Sequence, residues 1–570
     1  MPDVPTFSVD DGFAYSVPDS MSVSVGSIVR VPLGGRRVRG WVVDVRSSDK
    51  RAGLKSIISV SSALPIFGPR HLETLRWAAL HHVAPVAALL PRAGPPNLPR
   101  AGGRPAGDGG AAAARAPLSH IADAGPWDGV IGELAAVHLP SGRNVVVLVP
   151  TVVDVAEHVK AAAQDLGDLV VGASSDLSAA EVTATWVTVN REGGRLLFGT
   201  REVALWSLGD VAAVAIVEPG RRVYKAPQTP TVHARDVMRR RANVERFGLV
   251  TIGAVPPLEI IAAGATVRYP KTRVWPLVEV LDRSQEAPGA GIAMEATRRA
   301  IAAAIGRGER VFVFVPRRGY APAFRCVRCR TLRRCPACGA GPDRGDACRR
   351  CGARLGACDE CGGRRFEPLG AGVERVVEDL RRSFGDAVGG VESGKPVRVG
   401  TERDVPAPQS VDLAVALDVD ALLLAPHYRA EEEALRILAR VAAAVRRGRG
   451  HRAVVQTSQP HHRVVRAIRA GSPAEVISEI LVEREAAGLP PIGQLMAVEV
   501  LGDDAPVDKD LREAVDGDGQ VFGPAEVGDR ARWLVQGAAL YKAKVRMRPA
   551  VQRWRDQGIR VRVDADPIDL

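Results

Sequence analysis

Short β-branched runs, each closed by turn residues and followed by a helical period, recur in two series along this chain. Asn144 to Val149 is a continuous apolar run ending at Pro150, and a helix over Val155 to Ala163 follows it. Leu169 to Gly172, Arg195 to Phe198 and Val211 to Val217 are further runs of the kind buried on both faces of a parallel sheet. A second series opens with Arg310 to Val315 and continues with a helix over Gly372 to Phe384 and strands at Pro396 to Val399 and Val411 to Leu417. It closes with a long helix over Glu431 to Arg447 and a strand at Ala453 to Gln456. Two successive α/β lobes are expected.

The flanks have different periods. In residues 6–60, Ser27 to Val31 and Gly40 to Val45 alternate around Gly34-Gly35-Arg36-Arg37, which predicts a hairpin in a small β-rich unit. His71 to His82 has Leu72, Leu75 and Leu80 at helical spacing. Pro91 to Ala116 is rich in Pro, Gly and Ala with little apolar patterning and predicts a flexible linker. The last hundred residues read as α+β, with a final strand at Arg560 to Val563.

Composition narrows the function classes. Of 570 residues, 46% are hydrophobic, yet no uninterrupted apolar run reaches membrane-spanning length. Met1 to Asp11 has neither a basic nor an apolar signal region, so a cytoplasmic location is expected. The net charge is +12 and arginine far outnumbers lysine. Guanidinium groups bind phosphate bidentately, which suits a nucleic-acid partner; a GC-rich genome would raise Arg, Ala and Val together as well. Aromatic content of 4% argues against broad base-stacking platforms.

The strongest chemical signal is a set of eight cysteines, all in four Cys-x-x-Cys pairs: Cys326/Cys329, Cys335/Cys338, Cys348/Cys351 and Cys358/Cys361. Two such turns complete a tetrahedral thiolate cage, so four make two closed, structural zinc sites. A disulfide-stapled module is the alternative and would need an oxidising compartment. Spacing alone leaves sequential, interleaved and nested pairings open. Arg328, Arg330, Arg333, Arg334, Arg349, Arg350, Arg364 and Arg365 crowd the module, which suits phosphate or acidic protein. The adjacent pairs His81/His82 and His461/His462 lack metal spacing and read as surface residues, and Asp418 and Asp420 read as structural.

Taken in order, the segments resemble the PriA family of replication restart helicases over nearly the whole chain. The resemblance rests on Val31-Pro32-Leu33-Gly34-Gly35-Arg36-Arg37-Val38-Arg39-Gly40, on Gly199-Thr200-Arg201 and on His233-Ala234-Arg235-Asp236. It continues through Arg317-Arg318-Gly319-Tyr320-Ala321-Pro322, Gly488-Leu489-Pro490-Pro491-Ile492-Gly493 and Val563-Asp564-Ala565-Asp566-Pro567. It implies a multidomain α/β protein: a 3′-DNA-end-binding domain at 1–90, a linker at 91–116, helicase lobes at 117–270 and 271–475, a two-zinc insert at 323–366 and an α+β domain at 476–570. The family's winged-helix domain is expected to be missing, with the linker in its place. Nested zinc sites are implied, with Cys326, Cys329, Cys358 and Cys361 outer and Cys335, Cys338, Cys348 and Cys351 inner. Phe13, Gly34 and Lys55 match the family's DNA 3′-end pocket, where Ala14 replaces an aspartate.

The family hydrolyses ATP, but its nucleotide motifs are eroded here. Phosphoryl transfer needs a Gly-rich loop with a lysine and a Ser/Thr for magnesium; Ser119 to Trp127 contains no lysine. Glu218-Pro219-Gly220-Arg221 stands for Asp-Glu-Glu-His, Gly253-Ala254-Val255-Pro256 for Ser-Ala-Thr-Pro, and Glu402 to Pro406 for the Lys-Gly-His-Asp loop. Ala443 to Gly448 keeps one arginine of the arginine-finger motif. The expectation is degenerate RecA-like lobes without ATP turnover. Such a protein would bind forked or branched DNA, 3′ ends and single strands, recruit primosome or helicase-loading proteins and associate with the nucleoid. The rivals are an active 3′ to 5′ helicase and a protein-only adaptor.

Overall fold

A computed structural model describes residues 1–46, 53–62, 64–99, 117–284, 286, 291–316, 324–336, 348, 353–368, 372–501, 505–527 and 530–568. Both apolar series build parallel sheets. In the first, the strands run in the order Thr266–Arg268, Leu118–Ala122, Gly248–Gly253, Val211–Val217, Asn144–Leu148, Leu196–Gly199, Val170–Ala173. In the second, the order is Val278–Asp282, Arg452–Thr457, Leu413–Ala416, Val311–Phe314, Val397–Gly400, Val388–Gly390. The central strands are buried along their whole length because helices cover both faces.

Two strands beside the centre of the first sheet carry no apolar run. Leu118–Ala122 contains Ser119 and His120, and Gly248–Gly253 contains Thr251. His120 is fully buried, with Nδ1 against Thr251 Oγ1 at 2.9 Å and Nε2 against Gly253 O at 3.1 Å. The polar groups satisfy one another across the parallel pair, which lets a non-apolar segment sit inside the sheet.

The N-terminal hairpin pairs Ile28–Leu33 with Arg36–Trp41 around Gly34 and Gly35, both at positive φ. The alternation from Val42 to Val45 does not extend the second strand, which ends at Trp41. The helix Pro69–His81 packs on Ala234–Glu245 of the first lobe, with His71 Nδ1 3.0 Å from Glu245, so the N-terminal unit and the first lobe share one apolar core. Residues 91–99 belong to that assembly: Ala93 is buried and Gly94 abuts Ile66. Residues 101–116 of the expected linker lie outside the described residues, as do Arg317 to Pro322.

The C-terminal unit is a β-α-β-β-α-β arrangement with antiparallel strand order Gln520–Val527, Arg530–Gly537, Gln494–Leu501, Arg560–Ala565. Its inner face buries Met496, Val498, Trp533 and Val563. On its outer face Glu499 accepts from Arg530, Arg532 and Arg562.

The last residues of this unit tie all four parts together. Lys225 of the first lobe donates to Ala565 O at 2.9 Å and Asp566 O at 2.8 Å, and Tyr428 of the second lobe donates to Pro567 O at 3.0 Å. His81 of the N-terminal unit lies 3.3 Å from Asp566, and His82 is buried beside it. His81 and His82 are therefore junction residues and not surface residues. His462 caps the helix Arg463–Ala470 and lies 3.2 Å from Glu431. Burial opposes ionisation of Asp566, but the His81 hydrogen bond together with the charges of His81 and Lys544 outweighs it and holds the carboxyl well below its usual range. Asp566→Ala is expected to cost about 3 kcal/mol by stranding Lys544 and His81 around an empty carboxylate position, and Asp566→Asn about half of that. Thermal unfolding of the two variants checks this; equal melting points for Asp566→Ala and the parent chain would refute it.

Candidate functional site

Three places bear the chemistry read from the sequence. The first is the cleft between the lobes. Leu118–Ala122, the turn Asp123 to Trp127 and the helix Asp128–His138 form the strand-turn-helix step at which a phosphate loop would sit. Asp128, not lysine, opens the helix. Trp127 is buried in the turn with its Nε1 donating to Asp123 O at 3.1 Å. The second lobe closes over it: Gln409 Nε2 donates to Gly125 O at 2.9 Å, and Pro408 lies so close that a side chain at Gly125 would meet its Cγ at 2.7 Å.

Glu218 follows the strand Val211–Val217, where a Walker B carboxylate would stand. Arg440 Nε of the second lobe lies 2.9 Å from one of its oxygens and Arg221 Nη1 lies 3.3 Å from the other. Arg440 and Arg436, one turn apart on Ala430–Ala443, also hold Glu402, with Arg436 Nη1 at 2.7 Å and Arg440 Nη1 at 3.7 Å. Arg222 of the first lobe reaches Glu433 of the second at 2.7 Å, and Glu259 is shared by Arg235 and Arg429, each at 2.9 Å. Burial works against the Glu402 charge, but Arg436 and then Arg440 outweigh it and hold the carboxyl down at about 2. The same balance keeps Glu259 ionised, with Arg235 and Arg429 overcoming burial. A void of 40 Å³ lies beside Gly220, Glu259, Arg429 and Arg436, room for water. Asp420 accepts from Thr457 Oγ1 and the Ser458 amide and so acts as a structural brace.

Arg436 and Arg440 were not legible as functional from Glu431 to Arg447 read only as a long helix. The signal available was their i, i+4 spacing, which puts two guanidiniums on one face of the helix.

The second place is the cysteine module. The strands Phe324–Cys326 and Phe366–Pro368 pair antiparallel at its base. Cys326, Cys329, Cys358 and Cys361 converge so that their four Sγ atoms lie within 4.8 Å of one another. Cys326 Sγ is 3.5 Å from Cys361 Sγ, and Cys329 Sγ is 3.4 Å from Cys358 Sγ. These separations far exceed a disulfide bond of about 2.05 Å. They approach the sulfur-sulfur edge of about 3.8 Å set by a tetrahedron with zinc-sulfur bonds of about 2.3 Å. Gly363 lies against the cage, where a Cβ would meet Cys326 Sγ at 3.0 Å. The Thr331 hydroxyl, and then its amide, lower the Cys329 thiol, while Cys361, although the Gly363 amide lowers it, is raised by the neighbouring thiols, Cys329 first. Cys335 and Cys348 are buried together with Leu355. Cys338, Cys351, Arg349 and Arg350 lie outside the described residues. Arg333 stacks on Phe366 with its guanidinium carbon 4.3 Å from the ring centroid, and Arg330 Nη1 donates to Arg283 O at 2.8 Å. Arg328, Arg334, Arg364 and Arg365 are exposed.

The third place is the N-terminal hairpin. Ser16 N donates to Lys55 O at 3.0 Å, and Tyr15 Oη donates to Pro32 O at 3.2 Å. These bonds bring the Phe13 loop, the Lys55 segment and the hairpin arm bearing Gly34 onto one surface. Phe13 is 48% exposed, a large apolar ring left in solvent next to exposed Lys55, and Ala14 is exposed beside it. Arg30, Arg36 and Arg37 are exposed on the same small sheet and add charge that Lys55 alone does not supply. Among the described residues no helix is long and apolar enough to cross a membrane.

Comparison with known proteins gives a consistent set of relatives. A family model described as the 3′DNA-binding domain (3′BD) matches residues 2–95. The probable replication restart protein PriA of Mycobacterium leprae is 31% identical over 473 residues, covering 75% of this chain and 71% of that protein. Its namesake in Mycobacterium tuberculosis is 29% identical over 559 residues, covering 86% of this chain and 85% of that one. Among solved structures, RecG bound to a three-way DNA junction is similar at 11% identity and a TM-score of 0.38, over 64% of this chain and 43% of that chain.

Proposed function

The chain belongs to the PriA family of replication restart proteins, and on that premise we propose that it binds stalled or branched forks without hydrolysing ATP. One observation carries the non-catalytic reading: Glu218, the acidic residue at the Walker B position, is neutralised by Arg440 from the opposite lobe. Magnesium would have to displace a buried guanidinium, and no lysine stands at the phosphate-loop position to draw a triphosphate in.

DNA recognition follows from the exposed chemistry. Phe13 stacks on a terminal base, the Gly34 turn lets the backbone approach a 3′ end, and Lys55 with Arg30 and Arg37 neutralises the neighbouring phosphates. The outer face of the C-terminal sheet offers Arg530, Arg532 and Arg562 around Glu499, with Asp564 also beside Arg562, a second cationic surface for strands leaving the branch. Two zinc ions, one in the Cys326, Cys329, Cys358 and Cys361 cage and one held by Cys335, Cys338, Cys348 and Cys351, hold a module whose exposed arginines receive primosome or helicase-loading proteins. The site of action is the cytoplasm, at the nucleoid.

Two assays on zinc-loaded full-length protein test this. Fluorescence anisotropy is expected to give tighter binding to a fork with a free 3′ end than to plain duplex, with Phe13→Ala/Lys55→Ala removing most of the preference. ATP hydrolysis is expected to stay at background with or without fork DNA. Fork-stimulated hydrolysis abolished by Glu218→Gln would establish a working helicase instead. Binding that ignores salt, or no binding, would leave a protein-only adaptor, because phosphate contacts must weaken as salt rises.

A further inference from the structure

A second basic site lies on the opposite edge of the second sheet from the interlobe cleft. The cleft sits at the carboxyl ends of the strands, where Glu402 follows Val397–Gly400. At the amino ends, beside the first residues of Val278–Asp282 and Arg452–Thr457, a groove of 520 Å³ is lined by Arg273, Arg446, Arg447, Arg449, His451 and Arg452, with Pro276 and Leu277. Helix Arg463–Ala470 borders it, because Arg273 Nη2 donates to Arg469 O at 2.5 Å.

The charges in this groove are only partly answered. Asp412 lies 2.7 Å from Arg446 and 3.7 Å from His451, and Glu279 lies 2.6 Å from Arg452. Glu309 is engaged by Arg307 at 2.6 Å. Among the described residues Arg273 and Arg447 have only backbone carbonyls as partners, Arg469 O for the first and Val274 O and Arg273 O for the second. The exposed Arg449, Arg466 and Arg469 make no side-chain ion pair among the described residues. Behind the groove wall, Arg273 Nε and His451 Nδ1 are buried with no hydrogen-bond partner among the described residues, so the protein itself leaves these side chains incompletely paired. Burial, and then the neighbouring Arg447, lowers the pKa of Arg273, the signature of cations packed without a counter-ion.

We propose that this groove seats the phosphodiester backbone of a duplex DNA arm. Planar guanidiniums match phosphate oxygens bidentately, while the exposed Leu277 beside Pro276 provides an apolar rim for deoxyribose. A row of separate arginines spread along a groove fits a repeating phosphate chain better than a single carboxylate. The inference rests on the fork-binding reading and extends it: the N-terminal surface takes the 3′ end, and this groove takes a double-stranded arm on the far side of the second lobe.

The test uses full-length protein and a duplex closed by a hairpin at each end, which offers no 3′ terminus. Wild type is expected to bind it with steep salt dependence. Arg449→Glu/Arg469→Glu is expected to weaken that binding about tenfold and to lower the salt slope by about two, with Arg449→Lys/Arg469→Lys retaining most of it. Binding of a single-stranded 3′-ended oligonucleotide and the melting temperature should not change. Wild type that ignores the capped duplex, or a charge-reversal variant that binds it as wild type does, overturns the inference. So does polyglutamate displacing the duplex at equal charge concentration, which would identify an acidic protein as the partner. Equal wild-type affinity for forks and capped duplex, with the variant still impaired, would instead defeat fork recognition and leave the groove standing.

Discussion

Cys358→Ser is expected to lower bound zinc from two ions per chain to one and to open residues 323–366 to trypsin. Structural zinc in small cysteine modules is worth about 10–16 kcal/mol of folding free energy, because the thiolates are not preassembled in the unfolded chain. Around the Cys326, Cys329, Cys358 and Cys361 cage, the module's described regular structure is a three-residue pair of strands, far too little to hold it once one ligand is gone. Cleavage is expected first after Arg328 and Arg364, which are exposed and flank the cage. The parallel sheet that carries the insert should survive, since its core is built from Val311, Val313, Val399 and Val415 and not from the insert. Metal analysis with limited proteolysis reads the result. Two tightly held zinc ions in Cys358→Ser, or unchanged protease resistance after chelation, would show that this cage is not a metal centre.

The second large effect concerns the closed cleft. Arg440→Ala is expected to cost about 3 kcal/mol, because it leaves Glu218 buried with only Arg221 at 3.3 Å. Hydrogen exchange should then show the amides of Ala430–Ala443 exchanging about a hundredfold faster. Glu218→Gln/Arg440→Gln should recover much of the loss, since neither member is then an unpaired buried charge. An unaltered exchange rate in Arg440→Ala would mean that the pair contributes nothing to closure. The acid dependence has a definite sign. Glu402 sits at about 2 in the folded protein, below the ordinary glutamate value of 4.5, so its contribution is complete above pH 4.5. It fades as pH falls through 2, by up to about 3 kcal/mol. The second lobe, which holds Glu402, Arg436 and Arg440 together, should therefore lose stability in acid and not in mild base.

On the proposed non-catalytic reading, something other than a nucleotide must hold the two lobes together. The ion pairs Arg440 to Glu218, Arg222 to Glu433 and Arg429 to Glu259 run between them. Under that reading, such fixed closure suits a scaffold that holds DNA arms in constant relation.

Much of this molecule was already written in its local pattern. The β-branched runs Asn144 to Val149 and Val211 to Val217 became central strands, since such runs can stay dry on both faces. Gly34 and Gly35 forced a hairpin because positive φ is tolerated there, and Cys-x-x-Cys turns can point thiols at one centre by themselves. The missing lysine and the replaced Walker carboxylate are likewise facts of the linear chain. Tertiary structure decided the rest. Leu118–Ala122 is a strand only because Thr251 and Gly253 answer His120 from the next strand. His82 is buried, and His81 half-buried, only because the far C-terminal residues fold over them. Arg222 and Glu433 are 211 positions apart, and no spacing rule links them. Propensity and turn chemistry act between neighbours, so they are legible in order along the chain; burial and charge pairing depend on which distant surfaces meet, and only the fold specifies that.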